Sequence, residues 1–128
     1  MGESITVFNR KNINDLKKEK GCGFWVASEK RLRNSEFIVC ICNNKDNKEE
    51  HETAFFIAPI SQIERAPEIG KGRLLIKFSQ YHELRIPKAR TILGLLGRQN
   101  PIAYFDTSEL FNQLGLDIEN LTWQEWVD

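Results

Sequence analysis

Two stretches of the chain are apolar on both of their alternating sets of positions. In Glu36 to Cys42, EFIVCIC, one side carries Ile38, Cys40 and Cys42 and the other Phe37, Val39 and Ile41. In Thr53 to Ala58, TAFFIA, Phe55 and Ile57 alternate with Ala54, Phe56 and Ala58. A strand that is apolar on both faces must be covered on both, so these two are expected at the centre of a sheet. The polar run NNKDNKEEHE at 43–52 between them reads as a hairpin loop.

Weaker signals flank this pair. Ile5 to Phe8 is a short strand, and Asn12 or Asn14 opens a helix through Lys20 that Gly21 ends in a left-handed cap. GFWVAS at 23–28 returns to strand, with Trp25 and Ala27 on one side and Phe24, Val26 and Ser28 on the other. RLLIKF at 73–78 and HELRI at 82–86 are half-exposed strands with Arg73, Lys77 and Arg85 on the wet side. Pro87 breaks the sheet, after which Ala89, Ile92, Leu93 and Leu96 recur at helical spacing before Gly97. Asp106 and Glu109 form a capping-box pattern for a last helix with Leu110, Phe111 and Leu114 as its stripe and Gly115 as its stop. The end, DIENLTWQEWVD, fits no period. The expected fold is α+β: a small curved sheet or β-barrel of about six strands with three short helices outside.

Composition adds class. At 128 residues one domain is expected over 1–128, with 115–128 as an acidic C-terminal extension, and no disulfide or metal staple is needed. The 41% apolar and 28% charged content is that of a soluble globular protein. No run approaches the length of a membrane span and the first residues do not read as a signal peptide, so a cytoplasmic protein with no membrane partner is expected.

Charge changes the picture. The formal total is zero, but the first hundred residues carry 18 basic and 12 acidic side chains and the last 28 carry six acids and no base. A basic face can therefore hide inside a neutral total.

Reaction chemistry finds little support. The three cysteines and two histidines lack paired metal-ligand spacing, so no metal or other cofactor is expected and the thiols read as reduced. There is no nucleophile elbow and no phosphate-cradling glycine loop. Glu64, Glu68 and Glu83 with Lys77 make a weak nuclease-like set. Trp25 is more informative: its small neighbours, GCGFWVAS, leave room for a planar ligand beside an indole.

The ordered string of motifs resembles the PUA-like superfamily, in particular its EVE and YTH branches. It runs ITVF, the helix at 12–20, GFWVASEKRL, then RNSEFIVCIC and TAFFIAPISQI. GRLLIKFSQYHELRIP and RQNPIAYFDTSEL continue the likeness, which covers roughly residues 5–114. It implies a reader, not an enzyme: a module that takes a modified, methylated base of DNA or RNA into an aromatic cage. Trp25 stands at the cage tryptophan of the x-Trp-x-x-Ser motif, and Val26, Ala27 and Ser28 supply contacts to the base. The second cage tryptophan of the YTH branch is missing from ERAPEIGKG at 64–72, leaving Phe78, Tyr81 or Tyr104, or the tail tryptophans, to close the pocket. Phosphates would meet Lys30, Arg31 and Arg33 beside Trp25, and Lys77, Arg85, Lys88, Arg90 and Arg98 in the second half. The alternative is a protein-interaction module, a homodimer whose acidic tail with Trp123 and Trp126 meets a neighbouring copy.

Overall fold

The two doubly apolar strands become β3 (Ser35–Cys42) and β4 (Ala54–Pro59), paired antiparallel in the middle of a six-stranded sheet. This computed structural model describes residues 2–66 and 73–127. On one side of the pair lie β1 (Glu3–Asn9) and β8 (Ile102–Asp106), and on the other β7 (Gln80–Ile86) and β9 (Gln124–Glu125). β1 runs parallel to β3, with Val7 opposite Cys40. The crossover between them holds α1 (Ile13–Glu19), β2 (Cys22–Trp25) and α2 (Glu29–Arg33). A second, antiparallel sheet has the order β2, β6 (Arg73–Lys77), β5 (Gln62–Ala66). Among the described residues no strand pairing joins the two sheets, so the fold is α+β but not a closed barrel.

Both faces of β3 are covered, as its pattern requires. Ile38 and Cys40 face the second sheet and join Ile5, Val7, Cys22, Leu74, Ile76 and Phe56 in one core cluster, closed at its ends by Leu16 of α1 and Leu32 of α2. Val39 and Ile41 face away and pack with Ile57, Ala103 and the helices α3 (Ala89–Ile92) and α4 (Thr107–Leu114). Among the described residues no helix is long and apolar enough to cross a membrane.

Local details depart from the sequence reading in physical ways. α1 is capped by Asn12 in a reciprocal box: the Asp15 N–H donates to Asn12 Oδ1 and the Asn12 N–H to Asp15 Oδ2, each at 3.0 Å. Its left-handed cap is Lys20 (φ 62°), not Gly21. The box expected at α4 is half formed. Asp106 accepts from the Glu109 N–H at 3.1 Å, while Glu109 turns to Gln113 instead. The helix expected from Ala89 to Leu96 stops at Ile92, and Ile92 and Leu96 stay exposed.

The glycines around Cys22 have a different role from the one their sequence suggested. A Cβ on Gly21 would meet the Ile76 carbonyl oxygen at 2.6 Å, and one on Gly23 the Leu75 Cδ1 at 2.9 Å. The space beside β2 is occupied by β6 of the same chain. Small residues there permit close strand packing and leave no slot for a planar ligand on that side.

The acidic end is strapped to the body. Its β9 pairs with β7, Gln80 opposite Glu125, and the Trp126 N–H donates to the Ser79 carbonyl at 2.9 Å.

Candidate nucleic-acid interface

The second sheet covers only part of the inner face of the first. Where it stops, a cleft of about 530 Å³ opens at the C-terminal ends of the parallel strands β1 and β3. Cys42 of β3, Phe55 of β4 and Glu83 of β7 come from three strands of the large sheet and form its floor. One wall is the turn from β1 into α1, Arg10 to Asn14, with Lys17 one helical turn further on. Asn44 and Glu50, from the loop between β3 and β4, form the other. A smaller hollow of about 410 Å³ continues past Arg10 and Asn44 to Lys45 and Asp46.

Phe55 reaches this position through an irregularity in the ladder. The pairing of β3 with β4 shifts register between Cys40 and Ile41, which face Phe56 and Ala54, so Phe55 is the extra residue of a bulge. Bulges re-aim side chains. Its ring packs at the margin of the inner core and stays partly accessible.

The charges around the floor divide into held and unheld groups. The Lys11 ammonium donates to both Glu19 carboxylate oxygens and to the Gly23 carbonyl, all at 2.6 Å, tying the cleft wall to β2. Glu50 is paired with Arg85 at 3.2 Å. Arg10 and Glu83 make no ion pair among the described residues, and the Lys17 ammonium lies 6.0 Å from the Tyr81 ring centroid. Burial, and then Glu50, push the Cys42 thiol above its ordinary range, so it is protonated at neutral pH. The cleft thus offers one aromatic face, an amide at Asn14, a free carboxylate and two free cations. A planar, phosphorylated, hydrogen-bonding ligand has that complement of groups.

The sequence-predicted residues are dispersed by comparison. Trp25 ends β2, half-buried against the inner core, and it does not line the cleft. Its indole N–H is buried beside the Cys22 thiol without reaching hydrogen-bond geometry. Val26 is 72% exposed, Ala27 packs on the core, and the Ser28 hydroxyl caps α2 by accepting from the Arg31 N–H at 3.2 Å. Phe78 and Tyr81 are core residues around Phe56, so neither presents a ring face to a base. Tyr104 lies under Arg31, whose guanidinium is 3.9 Å from its ring centroid. The Tyr104 hydroxyl is buried without a partner, and that burial raises its pKa.

The basic residues separate in the same way. Arg31 forms a two-pronged pair with Glu3 at 2.8 and 2.9 Å, Arg33 pairs with Glu29, and Lys77 with Glu64. Arg90 is a correction: it is 7% exposed and stacks 4.0 Å from the Phe8 centroid. It donates to the Leu95 and Arg98 carbonyls, leaving no face for a phosphate. Arg98 donates to the Ile102 carbonyl at 3.4 Å, while Lys30 and Lys88 are exposed. Of the nuclease-like set, Glu64 meets Lys77 on the small sheet, Glu83 stands on the other sheet, and Glu68 lies outside the described residues. Among the described residues no group of three or more His, Cys, Asp or Glu is placed to hold a metal.

Sequence reasoning missed Phe55 and the Arg10 to Asn14 turn. The basic, amide-rich NRKNIN between strand and helix pointed to the turn, while the bulge that presents Phe55 leaves no signal in the alternation of its strand. No family model, curated protein or solved structure gives a significant match to the chain.

Proposed function

We propose that the protein is a nucleic-acid-binding reader that seats one unstacked base in the cleft over Phe55. The cleft carries the reading, because it is the place where an accessible aromatic ring, unpaired cations and free hydrogen-bonding groups converge. In this reading Phe55 stacks on the base. Glu83 accepts from an exocyclic amino group, and the Asn14 amide reads a neighbouring edge. Arg10, Lys17 and Lys45 meet the phosphates on either side.

The PUA-like resemblance supports the same reading. The motifs implied strand, helix, tryptophan strand, a turn and an apolar strand, and the chain follows that order with α2 where the turn was expected. From that resemblance comes the modified base, with Trp25 on the strand that Lys11 of the cleft wall ties down at Gly23. In this reading the protein acts on the nucleic acid by binding, with no covalent step.

The experiment is a fluorescence-anisotropy titration of short labelled single strands, RNA and DNA, carrying plain or methylated adenine or cytosine at one position. It is run at two salt concentrations. Saturable binding that weakens with salt and differs with the methyl group supports the reader. Absence of binding to every strand at low salt overturns it.

A further inference from the structure

Cys22 of the small sheet and Cys40 of the large one face each other across the inner core, both fully buried, with their sulfur atoms 4.0 Å apart. They are separated by 18 positions in the chain and belong to different layers. The contact is therefore made by the fold and not by local sequence. Asn9, itself buried at the end of β1, donates its Nδ2 to the Cys22 sulfur at 3.5 Å. The next residues, Arg10 and Lys11, line the cleft, and so does Cys42, two positions beyond Cys40. The pair and its Asn9 partner thus lie close in the chain to residues of the cleft at the ends of β1 and β3.

We propose that Cys22 and Cys40 are a redox-modification site, a dithiol that hydrogen peroxide oxidises to a disulfide joining the two sheets. Cys22 is the first nucleophile. The Cys40 thiol donating toward it lowers its pKa against the opposing effect of burial, whereas burial raises that of Cys40. The Cys22 sulfur gives up its proton and attacks one peroxide oxygen. The O–O bond breaks, the leaving hydroxide takes that proton, and one water and a Cys22 sulfenic acid result. The Cys40 sulfur then attacks the Cys22 sulfur, and the S–O bond breaks. The hydroxyl leaves with the Cys40 proton as a second water. Two thiols have lost two electrons and one peroxide has become two waters. Closing the bond needs the sulfurs to approach by about 2 Å.

The inference is independent of nucleic-acid binding. It is tested by treating the folded, full chain with hydrogen peroxide, blocking remaining thiols with an alkylating agent and mapping tryptic peptides without reduction. The expected product is a monomer two hydrogens lighter, with residues 21–30 linked to residues 34–45, and its urea midpoint falls back when a dithiol reductant is added. Because the second peptide holds both Cys40 and Cys42, the mapping is repeated on Cys42→Ser, which keeps the link. A Cys40→Ser chain stops at the Cys22 sulfenic acid, which dimedone traps. A wild-type chain that forms no such link while folded, or a link that disappears in Cys42→Ser, overturns the proposal.

Discussion

Trp123 and Trp126, three positions apart, lie on opposite faces of the same sheet. Trp126 sets its indole edge-on against Phe78 at 4.6 Å, Tyr81 at 5.3 Å and Phe56 at 5.7 Å in the inner core. Trp123 stacks on Phe37 at 6.1 Å in the outer one. The strand between them, β9, closes the edge of β7, so the acidic end grips the sheet from both sides. Trp126→Ala is expected to cost about 3–5 kcal/mol, as for other large buried aromatics. Urea unfolding checks this. A chain lacking residues 117–128 is expected to lose cooperative unfolding, where an oligomerisation tail would leave a stable monomer.

Arg90 separates structure from binding. Its guanidinium supplies donors to the Leu95 and Arg98 carbonyls, and it stacks on Phe8. Arg90→Leu takes the side-chain donor from the Arg98 carbonyl and leaves the Leu95 carbonyl with the Arg98 N–H alone, and is expected to destabilise by about 1–3 kcal/mol. The salt dependence of nucleic-acid binding stays that of the wild type. Lys17→Ala behaves oppositely: unfolding is unchanged, and the slope of log affinity against log salt falls by about 0.7, one phosphate contact on a single strand.

Gly21 and Gly97 both adopt positive φ, 153° and 85°, but only Gly21 is crowded. Gly97→Ala meets nothing within 4 Å and carries backbone strain alone, of order 1 kcal/mol. Gly21→Ala adds a collision with the Ile76 carbonyl and is expected to cost more, about 2–4 kcal/mol. Paired urea midpoints order the two.

The Glu29 carboxyl is held below the usual carboxylate range, first by Arg33 and then by Arg65. A folded pKa below the unfolded one gives a contribution that is complete above the unfolded value. It fades as pH falls through the folded one. Glu29→Gln is therefore expected to be slightly less stable than wild type at neutral pH, with the difference vanishing in acid. The groups are exposed, so the effect is small and shrinks with salt. Urea midpoints at both pH values measure it.

What could be read from the sequence depended on whether a signal was local. The doubly apolar pattern placed β3 and β4, and Asp106 with Gly115 bounded α4, because each signal lies within its own segment. The five-residue α2 went unread, since Leu32 is its only apolar side chain and no period forms around one position. β9 spans two residues and exists only through β7. The roles of Trp25, Phe78 and Tyr81 were set by what packs against them, which no single strand's alternation records. The cleft is the extreme case: its walls and floor come from turns and strands up to about seventy residues apart, and a ladder irregularity presents Phe55 to it.

The most direct test of the cleft as the reading site is the affinity of Phe55→Ala for the strand that the wild type binds best, with circular dichroism confirming that the fold is kept. Loss of one base stack, about 1–3 kcal/mol, corresponds to weakening by about five- to a hundred-and-fifty-fold, with an unchanged salt slope. A folded Phe55→Ala chain that binds as tightly as the wild type contradicts the account.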